Sequence, residues 1–97
     1  MVAREAVLAF LRDYKRDCAD RYGIVEIGVF GSVARDEAHG ASDLDICVKT
    51  ATPDPYALVH IKEDIEERLG VPVDIIRVRP NMNQHLKQRI EQDAVYV

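Results

Sequence analysis

The sequence predicts an α/β domain, helices packed on a small sheet, and three observations predict it. Apolar stripes at helical spacing alternate with short β-branched runs along the chain. The element order reads helix, strand, short helix, strand, helix, strand, helix. The length of 97 residues is that of one ordinary domain, so residues 1–97 are read as a single core without repeat or linker. Apolar residues at 47% and charged residues at 31% match the usage of packed, water-soluble domains.

Residues 3–21 place Ala3, Val7, Phe10, Leu11, Tyr14 and Cys18 on one helical stripe, and Gly23 stands where a stop is expected. Residues 24–30 form an apolar run interrupted by Glu26 and Gly28, which suits a largely buried strand that delivers the chain to Gly31 and Ser32. A short helical turn over 32–36 and a polar loop over 36–41 follow. From 43 to 48 the alternation sets Leu44, Ile46 and Val48 on one face of a second strand, and Asp43 and Asp45 on the other. Asp54 and Pro55 resemble an N-cap and first helical position, with Leu58, Ile61, Ile65 and Leu69 as the stripe and Gly70 as the stop. Residues 71–78 read as a third strand, broken by Pro80 and Asn81, with Asp74 on the same face as Ile76. The last helix, about 83–93, has only a thin stripe of Leu86 and Ile90, so most of its surface is left to solvent or a partner.

The formal net charge of -4 opposes a nucleic-acid backbone unless basic residues cluster, which they do not, so direct nucleic-acid binding is not expected. A metal-bound nucleotide, which brings its own cation into an acidic pocket, remains compatible. Cys18 and Cys47 have no zinc-type spacing and read as reduced thiols. No run approaches membrane-spanning length and the N-terminus has no apolar signal core, so a cytoplasmic protein is expected. His39, His60 and His85 lack ligand spacing, and Tyr14, Tyr22, Tyr56 and Tyr96 read as core or rim.

The stretch that carries chemistry begins at Gly31-Ser32-Val33-Ala34-Arg35 and continues at Ser42 as Ser-Asp-Leu-Asp. A strand that ends in Gly-Ser and turns into a short helix offers free N–H groups and a hydroxyl to phosphate oxygens; Ser32 as an N-cap of that helix is the alternative, and the two roles are compatible. Asp43 and Asp45 project from one strand face about 6–7 Å apart, and like charges so placed call for a cation. Two Mg²⁺ ions roughly 4 Å apart would supply it and clamp the attacking and leaving oxygens of a phosphoryl displacement. A solvated sheet face or an ordinary turn aspartate is the alternative, more so for Asp43 than for Asp45. Asp74, between Val73 and Ile75, joins the pair as a metal ligand and proton acceptor if the second and third strands lie close; otherwise a salt bridge to Arg77 or Arg79 explains it.

Gly-Ser, ten residues, Asp-Leu-Asp and a later Val-Asp-Ile together resemble the DNA polymerase β-like nucleotidyltransferase superfamily, and the short chain resembles its minimal members. The resemblance covers nearly the whole sequence and implies a small mixed sheet packed by helices. It places Gly31, Ser32 and Ser42 on the nucleotide and Asp43, Asp45 and Asp74 in the catalytic, metal-holding trio. Arg35 follows Gly-Ser as in minimal members and would steady a phosphate, against a surface pair with Asp36 or Glu37. Minimal members are similar to antitoxins that work beside HEPN-domain toxins and transfer AMP from ATP to a toxin tyrosine, so the resemblance implies ATP, Mg²⁺ and a HEPN toxin as partner. A chain this short offers no second domain to enclose a small acceptor, which favours a protein acceptor held in a hetero-complex. Two other readings stand beside it: a non-catalytic antitoxin that neutralises by covering the toxin, and transfer to a small molecule such as an aminoglycoside, with a homo-oligomer or partner completing the pocket.

Overall fold

The computed structural model describes residues 3–35 and 43–97. Its elements are α1 (Arg4–Tyr22), β1 (Ile24–Phe30), α2 (Gly31–Ala34), β2 (Leu44–Thr50), α3 (Pro55–Leu69), β3 (Val73–Arg77), α4 (Gln84–Asp93) and β4 (Val95–Tyr96). The strands form one mixed sheet in the order β3-β2-β1-β4, with β2 and β3 parallel and both pairings of β1 antiparallel. Helices packed on a small mixed sheet are the predicted class, here resolved as an α+β fold.

Alternation along β2 divides the sheet into two unlike faces. Leu44, Ile46 and Val48 turn inward against α1 and α3, joining Val7, Leu11, Ile61 and Ile65 in the main core. Cys47, in contrast, faces the other layer, where Phe30, Met82 and Ile90 form a second cluster under α4. The thin stripe predicted for α4 is what the structure contains, since Ile90 is its one buried residue and Leu86 packs partly against the cluster. Both long helices stop in left-handed caps at Gly23 and Gly70, and Asp54 accepts hydrogen bonds from the backbone N–H groups of Tyr56 and Ala57 as an N-cap should. Ala3 differs from expectation: it caps α1 and is exposed rather than lying on the buried stripe.

A side-chain hydrogen bond joins the two long helices. The hydroxyl of Tyr14 donates to Asp64 at 2.7 Å, tying α1 to α3, and burial followed by this hydrogen bond pushes the phenol pKa upward. Tyr56, in contrast, is 80% exposed and belongs to neither core nor rim. Cys18 and Cys47 are both free thiols, Cys47 fully buried. A register shift between Ile24 and Glu26 leaves Val25 exposed at the start of β1.

β4 was not predicted. It pairs Val95 and Tyr96 with Val29 and Gly28, and a two-residue strand is too short to carry a periodic signal. Gly28 makes the pairing possible, because a Cβ there would meet the carbonyl oxygen of Val95 and the Cα of Tyr96. Gly28→Ala should therefore displace β4 and cost about 1–3 kcal/mol, the usual scale of overpacking. Chemical denaturation would measure it, and an unchanged midpoint would show that β4 yields freely.

Candidate functional site

Register brings the carboxylates together. Phe30 lies opposite Asp45 across the β1–β2 pair, and Asp45 lies beside Asp74 across the parallel β2–β3 pair. Equivalent positions on neighbouring strands share a face and stand about 5 Å apart at the backbone. Asp45 and Asp74 therefore point to the same side, at the place where β1 ends and α2 begins. Asp43 precedes β2 and is exposed, as is Asp74, whereas the Asp45 side chain is only 19% exposed.

Two backbone links hold these positions. The N–H of Leu44 donates to the carbonyl of Pro72 at 2.9 Å, joining the segments that enter β2 and β3. Glu66 of α3 accepts from the N–H of Val73 at 2.9 Å, which anchors the residue before Asp74. Glu66 was not singled out from sequence, since a helix glutamate is ordinarily a solvated charge.

Gly31 sits at φ +74, in the left-handed region where a side chain is strained, and a Cβ added there would collide with the Asp45 carboxylate. Glycine thus suits the position twice, by its left-handed φ and by leaving room for the Asp45 carboxylate where it now packs. Ser32, the next residue, is half-buried in the single turn of α2.

Charge is concentrated on Asp45. Burial pushes its pKa upward; Arg89 opposes this, Asp74 and Asp43 add to it, and Arg35 opposes it further. A partly buried carboxylate with two like-charged neighbours is an arrangement that a functional site maintains at the expense of stability. No group of three His, Cys, Asp or Glu side chains among the described residues is gathered closely enough to hold a single ion. Register aligns Asp45 and Asp74 without bringing the trio to a ready-made cage.

Arg35 Nη1 donates to Asp93 Oδ2 at 2.6 Å, which ties α2 to the end of α4, while Asp36 and Glu37 lie outside the described residues. The salt bridges proposed between Asp74 and Arg77 or Arg79 do not occur among the described residues, and Arg79 donates instead to the carbonyl of Arg77. Ser42, His39 and the polar loop over 36–41 lie outside the described residues. His60 stacks on Tyr22 and His85 is exposed.

Arg89 was missed altogether. Its Nη2 lies 4.0 Å from Asp45 Oδ2 and its guanidinium rests 5.6 Å from the centroid of the Phe30 ring. In the sequence it is one more arginine on a polar helix; only the placement of α4 over the sheet reveals it. A groove of about 530 Å³ lies elsewhere, along β3 between the first turns of α3 and α4, lined by Leu58, Ile75, Arg77 and Met82 among others and by none of the predicted site residues.

Residues 11–97 match the family described as nucleotidyltransferase domain. The chain belongs to that family. It is 32% identical over 98 residues to the protein adenylyltransferase MntA of Thermococcus cleftensis, covering all of this chain and 98% of that protein. Among solved structures it is similar to a toxin–antitoxin with AMP-PNP, at a TM-score of 0.73 and 25% identity, over 89% of this chain and 68% of that one. It shares its fold with a complex of a tri-AMPylated HEPN toxin and its MNT antitoxin from Shewanella oneidensis, at a TM-score of 0.70 and 21% identity, over 96% of this chain and 70% of that one. As a nucleotidyltransferase, the chain is an enzyme, and the predicted family stands. No helix among its described residues is long and apolar enough to cross a membrane.

Proposed function

We propose that this nucleotidyltransferase moves AMP from ATP to a tyrosine hydroxyl of a HEPN-domain toxin, and so acts as its antitoxin. The observation that carries the reading is the alignment of Asp45 with Asp74 on one face, against the Gly31 turn. The relative named a protein adenylyltransferase supports the reaction, and the folds shared with toxin–antitoxin complexes support the partner.

In this reading Gly31, Ser32 and Ser42 hold the triphosphate, and Arg35, already anchored on Asp93, steadies a phosphate from the side of α4. The acceptor hydroxyl lies within reach of Asp74, which takes its proton as the oxygen attacks the α-phosphorus. The α–β phosphoanhydride bond breaks, pyrophosphate leaves, and AMP remains on the acceptor oxygen. The carboxylates of Asp43, Asp45 and Asp74 are the hard oxygen donors that Mg²⁺ takes, and a cation would relieve the repulsion that Asp74 and Asp43 exert on Asp45. When bound, two such ions would polarise the attacking and leaving oxygens. Exposure of Asp43 and Asp74 leaves the site open to an acceptor as large as a protein.

Mass spectrometry of the product of the adjacent gene, after incubation with this protein, ATP and Mg²⁺, tests the proposal. A gain of one nucleotide on a tyrosine is expected, and Asp43→Asn should abolish it. Transfer that survives Asp43→Asn would remove the assigned chemistry, and neutralisation without any mass gain would favour an antitoxin that works by covering its toxin.

A further inference from the structure

We propose that Arg89 is a phosphate-binding residue of the nucleotide site, parked against Asp45 until a triphosphate arrives. The inference rests on the nucleotidyl-transfer reading and adds to it a residue from the far helix. Arg89 stands one position before Ile90, whose buried side chain seats α4 on the sheet, so the base of the arginine is fixed while its tip reaches the carboxylates. The guanidinium lies over Phe30, and Phe30 is the cross-strand partner of Asp45 and the residue directly before Gly31. Stacking over a ring leaves the in-plane N–H donors free to form bonds at the edge of the guanidinium.

The pairing with Asp45 is loose. At 4.0 Å it lies at the limit of an ion pair, and the arginine side chain is 54% exposed. Exposed pairs of this kind contribute little and reorient readily. Arg35, at the end of α2, provides the contrast, held at 2.6 Å by Asp93 of α4, which is 15% exposed. Arg89 is therefore a cation placed at the site without being committed there. Its planar fork matches two phosphate oxygens at once, which an ammonium does not. A metal–nucleotide held at Asp45 would compete with the arginine for the carboxylate, and the phosphates would offer Arg89 anions in exchange.

This arrangement predicts effects of opposite sign. Removing the guanidinium frees Asp45 for a divalent ion but deprives a triphosphate of a ligand. Calorimetric titration with Mg²⁺ alone, with Mg²⁺ and AMP-PNP, and with adenosine should compare the unaltered protein with Arg89→Met, which keeps an apolar stem over Phe30, and Arg89→Lys. Arg89→Met is expected to weaken AMP-PNP about 10–100-fold, as loss of charge-assisted hydrogen bonds does. Arg89→Lys should lose less, adenosine affinity should not change, and Mg²⁺ alone should bind as well or better. Undiminished AMP-PNP affinity in Arg89→Met, or an equal loss for adenosine, would overturn the assignment, with circular dichroism confirming that each variant is folded. Failure of the unaltered protein to bind Mg²⁺ and AMP-PNP would instead remove the nucleotidyl-transfer reading, and this inference with it.

Discussion

Asp45→Asn is expected to abolish transfer while making the protein more stable. The amide cannot serve as an anionic metal ligand, and activity should fall by about 10³-fold or more, beyond the loss typical of a single catalytic hydrogen-bond donor. Stability should move the other way, because burial, Asp74 and Asp43 all work against the ionised carboxylate, and Arg89 and Arg35 offset this in part. The fold raises the pKa of Asp45, so the stability linked to this group is complete below the ordinary aspartate range and is lost as pH rises through the raised value. Asparagine removes that loss. At neutral pH, in metal-free buffer, a gain of about 1 kcal/mol is expected, typical of relieving a functional site, and in a domain this size that is about 4–8 °C in Tm. A lower Tm for Asp45→Asn would show that Arg89 more than compensates the carboxylate.

Gly31→Ala should be the more damaging change, because it affects fold and site together. Alanine at φ +74 carries backbone strain, and its Cβ would occupy space held by the Asp45 carboxylate. The strain alone costs about 1–3 kcal/mol. Either the turn or the carboxylate must move, so transfer should fall to background even at temperatures where the variant remains folded. Thermal melts together with the AMP-transfer assay check both halves, and a folded, fully active Gly31→Ala would mean that the turn is not the phosphate cradle.

Elements with long periodic stripes were readable from sequence. The stripes of α1 and α3, the alternation in β2 and the apolar runs of β1 and β3 each encode their burial locally, within one or two residues of the observed ends. Asp45 and Asp74 were legible for the opposite reason, as charges in strands that otherwise carry apolar side chains. β4 was not legible, because its stability comes from Gly28 and Val29 rather than from its own two residues. Arg89, Glu66 and the Arg35–Asp93 pair were hidden in the same way: their positions depend on how α3 and α4 lie against the sheet, and helix surfaces rich in charge carry no record of which charge faces inward.

The pairing of Asp45 with Asp74 also bears on how the chain finds its native arrangement. A slip of one residue in β3 would turn Asp74 inward, among the apolar side chains where Val73 now packs, and turn Val73 and Ile75 outward. A lone carboxylate buried in hydrocarbon is far costlier than one left in water. The aspartate assigned to chemistry thus doubles as a proofreader of assembly, and replacing it with a hydrophobic residue would make misaligned, aggregation-prone forms accessible even where the finished fold tolerates the change.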